Sequence, residues 1–276
     1  MKKMKKSIYT LVLFQLISLF TFSQEIEMSG LLIDSETNNP IEFANLGVVN
    51  KNKGTVSNLD GTFRIKFSKE FVNDSLTISH VIYKTVKIPI RDSKNLVIPL
   101  QPNENKLAEV IVTNKKKKKK KIGVKSYNPL LWVSTVSKEM DIIESAKQIK
   151  ILNNKTVRVK DVNFYLRRGF ETDSAFIRIN FYENLDNRPG DKIIFENIIQ
   201  RKHIEQGWVD IDLTKYSVYL EEDFFVGVEI IPSSDKPLEV FMGAILTKGN
   251  AFMRKSSLGK WEEVPGAQSI NVEVEY

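Results

Sequence analysis

Gly54-Thr55-Val56-Ser57-Asn58-Leu59-Asp60-Gly61-Thr62-Phe63-Arg64-Ile65-Lys66-Phe67 is a turn followed by a strand, and it sets the reading of the first half of the chain. Asp60-Gly61 is a tight-turn signal, because glycine accepts the positive φ such turns need. From Thr62 to Phe67 polar and apolar residues alternate, the period of a strand with one buried face. Ser75-Leu76-Thr77-Ile78-Ser79 repeats that pattern. Working outward, the strand candidates are 25–33, 43–49, 62–67, 75–80, 85–90, 95–100 and 107–113. Asn38-Asn39-Pro40, Lys53-Gly54 and Asn73-Asp74 punctuate them. Seven short strands without a helix-length amphipathic segment predict a small β-sandwich.

Three further features of this half carry a resemblance. They are Gly30-Leu31-Leu32-Ile33-Asp34 with Thr37, Pro40-Ile41 and Ala44-Asn45-Leu46; the Gly54–Phe63 hairpin; and Leu100-Gln101-Pro102 followed by Leu107–Val112. Together they resemble the carboxypeptidase-regulatory-like domain. The resemblance implies a seven-stranded transthyretin-like sandwich of a kind common in exported proteins of Bacteroidetes-type bacteria. Ile82 departs from the family pattern, which has Gly before Tyr83. In many relatives this module precedes an outer-membrane receptor barrel. No barrel follows it in this sequence, so receptor function is not expected.

Peptidase activity is not expected either. A zinc peptidase needs closely spaced His and Glu ligands plus a distant His. The two histidines, His80 and His203, stand far apart without such partners. Asp34, Asn58 and Asp60 offer oxygens, but turn Asp and Asn residues usually bond their own backbone. The absence of Cys excludes disulfides, Cys-bound zinc, thiol chemistry and lipid attachment to an N-terminal Cys. No metal and no cofactor is expected.

Lys2, Lys3, Lys5 and Lys6 precede an apolar run over 8–22, and Thr21 and Ser23 are small residues at the −3 and −1 positions before Gln24. That is the layout of a secretory signal peptide, residues 1–23. An uncleaved anchor is the alternative, although the run is shorter than the roughly 20 residues a spanning helix needs. No transmembrane span is expected after cleavage. The chain is therefore expected to be exported, residing in the periplasm or associated with the outer membrane or cell surface.

A run of seven lysines, Lys115, Lys116, Lys117, Lys118, Lys119, Lys120 and Lys121, follows the first sandwich (residues 24–113). Without this run and the four leader lysines, the 41 basic residues fall to 30, against 34 acidic ones. The folded part is then slightly acidic, and nucleic acid is not an expected partner. Like charges repel and extend a chain, so residues 114–126 read as a solvated linker, with binding to an anionic surface as the functional alternative.

Residues 127–276 carry a second set of strand candidates: 161–167, 175–182, 192–199, 207–213, 224–231, 238–246, 251–255 and 269–276. Arg188-Pro189-Gly190-Asp191 reads as a turn, Phe224–Ile231 as a central strand, and 140–151 as either a short helix or another strand. About eight strands with long connections predict a jelly-roll-like β-sandwich. This half loosely resembles jelly-roll and galactose-binding-like modules of secreted bacterial proteins. The fold class is thus all-β, a transthyretin-like sandwich followed by a jelly-roll-like one.

Glycan recognition uses aromatic faces beside planar polar groups. The candidate ligand-binding residues are Trp261, Trp208, Tyr216, Arg168 and Arg254, with Trp132, Tyr219, Arg167 and Asp173 as further members. A core position is the alternative for Trp208, and Trp261 follows a loop-like stretch. Asp210 and Asp212 share one strand face at a spacing that superficially suits a glycan hydrolase, but alternating acids on a solvated strand explain them more simply. No Gly-x-Ser-x-Gly elbow or phosphate loop is present. The expected function is non-catalytic: binding or scaffolding in the bacterial cell envelope, with a glycan or an envelope protein as partner. A purely structural protein-interaction module is the alternative, and a hydrolase the remote one.

Overall fold

The structure is a computed structural model that describes residues 25–103, 118–137, 141–151, 155–169, 172–232, 238–247 and 251–276. The expected leader (1–23), the closing strand at 107–113 and Lys115–Lys117 lie outside these residues. Apart from one 3-10 turn at Lys69–Phe71, every element described is a strand. No helix among the described residues is long and apolar enough to cross a membrane.

Seven strands build the first sandwich: β1 (Ile26–Asp34), β2 (Asn45–Gly47), β3 (Gly54–Val56), β4 (Thr62–Phe67), β5 (Ser75–His80), β6 (Tyr83–Pro89) and β7 (Ser93–Leu100). One sheet has the order β4-β1-β7 and the other β3-β2-β5-β6. Their inner faces enclose Met28, Leu32, Leu46, Phe63, Ile65, Phe67, Leu76, Ile78 and Leu100. The alternation read from Thr62–Phe67 holds, with Phe63, Ile65 and Phe67 buried and Arg64 and Lys66 outside. Gly61 has φ +76°, and Asp60 Oδ1 accepts from the Thr62 amide at 3.0 Å and its hydroxyl at 2.6 Å. Asp34 likewise accepts from the amides of Glu36 and Thr37 at 2.8 and 2.9 Å and from the Tyr83 hydroxyl at 2.8 Å. These bonds hold its carboxyl below the usual range, the Thr37 amide contributing most.

Fifteen further strands follow among the described residues. They are β8 (Lys119–Gly123), β9 (Trp132–Ser137), β10 (Ile143–Ile149), β11 (Val157–Arg168), β12 (Ser174–Leu185), β13 (Arg188–Lys192), β14 (Ile198–His203), β15 (Gly207–Asp212), β16 (Tyr219–Leu220), β17 (Phe224–Pro232), β18 (Leu238–Ile245), β19 (Ala251–Arg254), β20 (Glu262–Glu263), β21 (Ala267–Gln268) and β22 (Ile270–Glu275). A seven-stranded sheet runs β13-β12-β17-β10-β19-β20, with β14 also on β12. An eight-stranded sheet runs β21-β18-β11-β22-β8, with β15 and β16 on β11 and β9 on β18. Between them lies the larger core, including Ile179, Phe181, Phe224, Val226, Val162, Phe164, Leu166, Met242 and Val272. Within the segment 140–151, Ile143–Ile149 forms strand β10 rather than a helix, and the apolar run 224–231 is central, as its composition requires.

Two readings need correction. Residues 192–199 are not one strand, and 188–191 is not the turn. The chain reverses at Asp186-Asn187, where both residues have positive φ (49° and 61°). Such a two-residue hairpin wants Asn, Asp or Gly. Pro189 then pairs with Asn184 in β13, an edge strand, where its missing N–H costs little.

The second correction concerns the linker. Lys119, Lys120 and Lys121 remain exposed but are not a spacer, because they form β8, antiparallel to β22, with Glu273↔Lys121 and Glu275↔Lys119 in register. Lys119 Nζ stands 3.4 Å from Glu273 and 3.8 Å from Glu275. Acidic residues placed opposite remove the repulsion that would keep the lysines apart.

The two sandwiches meet along a closed seam. Phe43 packs on Phe176 with ring centroids 4.7 Å apart, beside Ile142 and Ile231. Next to this apolar strip Arg178 Nη1 donates to Asn45 Oδ1 at 2.7 Å and to Glu229 Oε1 at 3.1 Å, and its Nη2 donates to the Phe43 carbonyl.

Candidate functional site

The outer face of the eight-stranded sheet carries a shelf of aromatic rings. On β11 the residues Val162, Phe164 and Leu166 enter the core, so Asn163, Tyr165 and Arg167 face outward. Register then sets Trp208 of β15 opposite Tyr165, and Phe241 of β18 opposite Arg167. Trp132 of β9 stands opposite Gly243. Tyr127, on the segment entering the sandwich, stacks on Tyr165 at 3.8 Å and 14°. Trp208 meets Tyr165 edge-on at 5.5 Å, and Trp132 lies 5.9 Å from it. The Arg167 guanidinium sits over Trp132 at 4.5 Å and over Phe241 at 4.9 Å.

Space for the stack comes from Gly243. A Cβ there would fall 3.0 Å from Tyr165 Cδ1 and 3.3 Å from the Tyr127 Cβ. Trp132 is further fixed by a 2.8 Å bond from Nε1 to the Pro129 carbonyl. Tyr165 is buried at the base, while Trp208 and Tyr127 keep 37% and 38% of their surface exposed. Leu130 and Leu246 at the same end are 87% and 79% exposed. The shelf crosses β15, β11, β18 and β9, about three strand spacings or roughly 14 Å. A rigid, partly exposed aromatic surface of this length suits the C–H faces of a short saccharide chain.

The five residues expected to bind ligand do not assemble. Trp208 is on the shelf. Arg168, at the end of β11, pairs with Asp173 at 3.0 Å. Tyr216 packs against the main core under the Lys215 amine. Arg254 and Trp261 belong to the other sheet. There the Arg254 guanidinium lies 4.7 Å from the Trp261 ring, and Trp261 packs edge-on against Tyr182 at 5.4 Å. Arg254 is buried, donating from Nε to Glu144 at 2.7 Å, so it is engaged inside the protein. The shelf recruits Trp132 and Arg167 from the wider candidate set and adds Tyr127, Tyr165 and Phe241. The alternation Asn163, Tyr165, Arg167 was the available signal for Tyr165. Tyr127 had none, because its place depends on the path of the chain across the sheet.

Two pairs of carboxylates stand close enough together to be compared with a catalytic pair. Glu144 and Glu229 are fully buried near the seam, and both accept from Asn180 Nδ2, at 2.8 and 2.7 Å. Burial pushes Glu229 up, but Arg178, Lys192 and Arg254 outweigh it and leave the carboxyl below its ordinary range. An ionised carboxylate held by arginines cannot serve as a proton donor. Asp210 and Asp212 face outward on β15. Asp212 Oδ1 accepts from the Thr214 amide at 2.7 Å, and bonds to Thr214 lower its pKa. No group of His, Asp and Glu that could hold a metal occurs among the described residues. An open cleft of about 1210 Å³ also runs beside β3 and β4. The cations of β4 on its rim, Arg64 and Lys66, are paired with Glu27 and Glu25.

Residues 28–112 match the family model described as the CarboxypepD_reg-like domain, within the span where the sequence carried that resemblance. No curated protein matches the chain. Among solved structures, the chain is similar to the clostridial cysteine protease Cwp84 after propeptide cleavage, at 11% identity and TM-score 0.40, covering 93% of this chain and 72% of that one. A DUF3823 family protein from Bacteroides ovatus is 13% identical at TM-score 0.23, over 80% of this chain and 97% of that one. A structure of carbohydrate-binding modules from the β-sandwich superfamily is 8% identical at TM-score 0.21, over 80% and 97%. At these scores none of the three bears on ligand or activity.

Proposed function

We propose that this chain is an exported, non-catalytic binding protein of the bacterial cell envelope whose second sandwich takes a glycan on the aromatic shelf. The observation that carries the reading is the pair of half-exposed rings, Trp208 and Tyr127, held around the buried Tyr165 on one sheet face. Recognition surfaces of this kind need rigid apolar faces with polar groups at the rim. The leader pattern in residues 1–23 supports export.

The test is a glycan-array screen of residues 24–276 beside the Trp208→Ala, Tyr127→Ala and Trp261→Ala variants. Saturable binding lost in the first two and kept in the third is expected. Binding indifferent to Trp208 and Tyr127 would sink the proposal. A second reading, a protein-interaction scaffold, is favoured by the exposed Leu130 and Leu246 next to the shelf. It predicts no glycan binding, with an envelope protein recovered by cross-linking that depends on those two leucines.

A further inference from the structure

The strand register that builds the shelf continues past it into a row of acids and amides. One step along β11 from Tyr165 and Trp208, Asn163 stands opposite Asp210 of β15 on one side and Asn271 of β22 on the other. One step further, Asp161 stands between Asp212 and Glu273. All of these positions share the outer face with Tyr165, because alternate residues of each strand enter the core.

Two observations show that this row has its own character. Asn163 is only 4% exposed, and its Nδ2 has no hydrogen-bond partner, a donor left over beside the shelf. The field at the row is also negative. Asp161 is pushed above its ordinary range by partial burial and then by Glu273, Asp212 and Asp210, despite the opposing pull of Lys119. At the opposite end of the shelf the positive charges are engaged: Arg167 on the faces of Trp132 and Phe241, Arg168 on Asp173.

Resting on the glycan reading of the shelf, we infer that it takes neutral or amino-bearing glycans and rejects those carrying carboxylates or sulfates. A saccharide stacked on Trp208 brings its rim hydroxyls toward Asp210, the exposed member of the row beside it. Hydroxyls donate to the exposed Asp210 carboxylate, and an ammonium group is attracted by the row. An acid group in the same place meets Asp210 and Asp212 as like charges, while the nearby Lys160 and Lys215 act on Asp212 itself. Discrimination here works by repulsion, while the rings supply the attraction.

The experiment uses affinity electrophoresis of residues 24–276 in gels containing matched polysaccharides that differ only in acid groups. Polygalacturonate is compared with its carboxyl-reduced form, alginate with its carboxyl-reduced form, and chitosan is run alongside. At low ionic strength the reduced forms and chitosan are expected to retard the protein roughly tenfold more strongly than the acidic forms, the effect of two exposed like-charge contacts. The gap should shrink at about 0.5 M salt, where exposed charges are screened. It should also shrink in Asp210→Asn/Asp212→Asn, whose surface positions leave folding intact. Equal or stronger retardation by the acidic forms overturns the inference and leaves the glycan reading standing, as does a gap that survives in the double variant. If no polysaccharide retards the protein, the glycan reading fails and the inference falls with it.

Discussion

Arg178 on β12 donates from Nη1 to the Oδ1 of Asn45 on β2 at 2.7 Å, and both side chains are almost fully buried. This bond ties the seven-stranded sheet of the second sandwich to the first sandwich. Asn45 in turn donates to Glu229 at 3.4 Å, so one carboxylate serves both partners. Removing the guanidinium leaves Glu229 buried with less compensation. Arg178→Met is therefore expected to cost roughly 3–5 kcal/mol. Because the lost contacts span the seam, denaturant unfolding followed by far-UV circular dichroism, which reports on both sandwiches, should show a single transition in the parent protein. It should coincide with that of tryptophan fluorescence, since Trp132, Trp208 and Trp261 all lie in the second sandwich. The circular dichroism transition should split into two in the variant. A variant that unfolds in one transition with unchanged stability would refute the coupling.

Gly243 controls the shelf from beneath. In Gly243→Ala the new methyl meets Tyr165 Cδ1 at 3.0 Å, so the ring must move and the Tyr127 stack with it. A stability loss of about 1–3 kcal/mol is expected from overpacking. Glycan retention should fall further than in a control such as Gly207→Ala, where a Cβ meets nothing within 4 Å. Equal retention by the two variants would show that the stack does not matter for binding.

The lysines of β8 face two tasks. They pair with the acids of β22 on one side, and on the other no strand among the described residues pairs with them. Lysine on an edge strand discourages a second chain from pairing there. Replacing Lys119, Lys120 and Lys121 by Thr is expected to keep the strand and permit self-association. Sedimentation velocity should show concentration-dependent dimers or larger species in the variant. A variant that stays as the parent protein does at high concentration would refute the role.

Asp141 gives the seam a pH dependence. Burial raises its pKa to about 6, although the amides of Ser257 and Ile142 bond it and pull the other way. For an acid whose folded pKa exceeds its unfolded value near 3.9, the folded state binds the extra proton between those two pH values. Stability should therefore rise as pH falls from about 6 towards 4, by up to roughly 3 kcal/mol from this group. Asp141→Asn should remove that increment. Tm measured across this range for both proteins decides it, and parallel curves would rule Asp141 out.

Much of the architecture was legible because strands with one buried face announce themselves locally. The alternation of Thr62–Phe67 and the apolar density of Phe224–Ile231 are set by burial against a core, and the structure honours both. The Asp60-Gly61 turn needed only the conformational freedom of its own residues. The hairpin at Asp186-Asn187 was missed in favour of Arg188–Asp191, since Pro-Gly is the louder turn signal and an edge strand tolerates it.

What the tertiary structure alone decided was which side chains share a face. Trp208 and Tyr165 are far apart in sequence and touch only because β15 and β11 pair in one register; a one-residue slip would put Trp208 on the other face. Arg254 looked available in sequence and is enclosed, because its surroundings come from β10, β12 and the chain near Trp261. Lys119–Lys121 read as part of a spacer until Glu273 and Glu275, at the far end of the chain, were brought alongside to pair them into a strand. Local composition fixes period and turn chemistry, whereas burial, charge pairing and the shape of a binding face depend on strands that meet only in the folded chain.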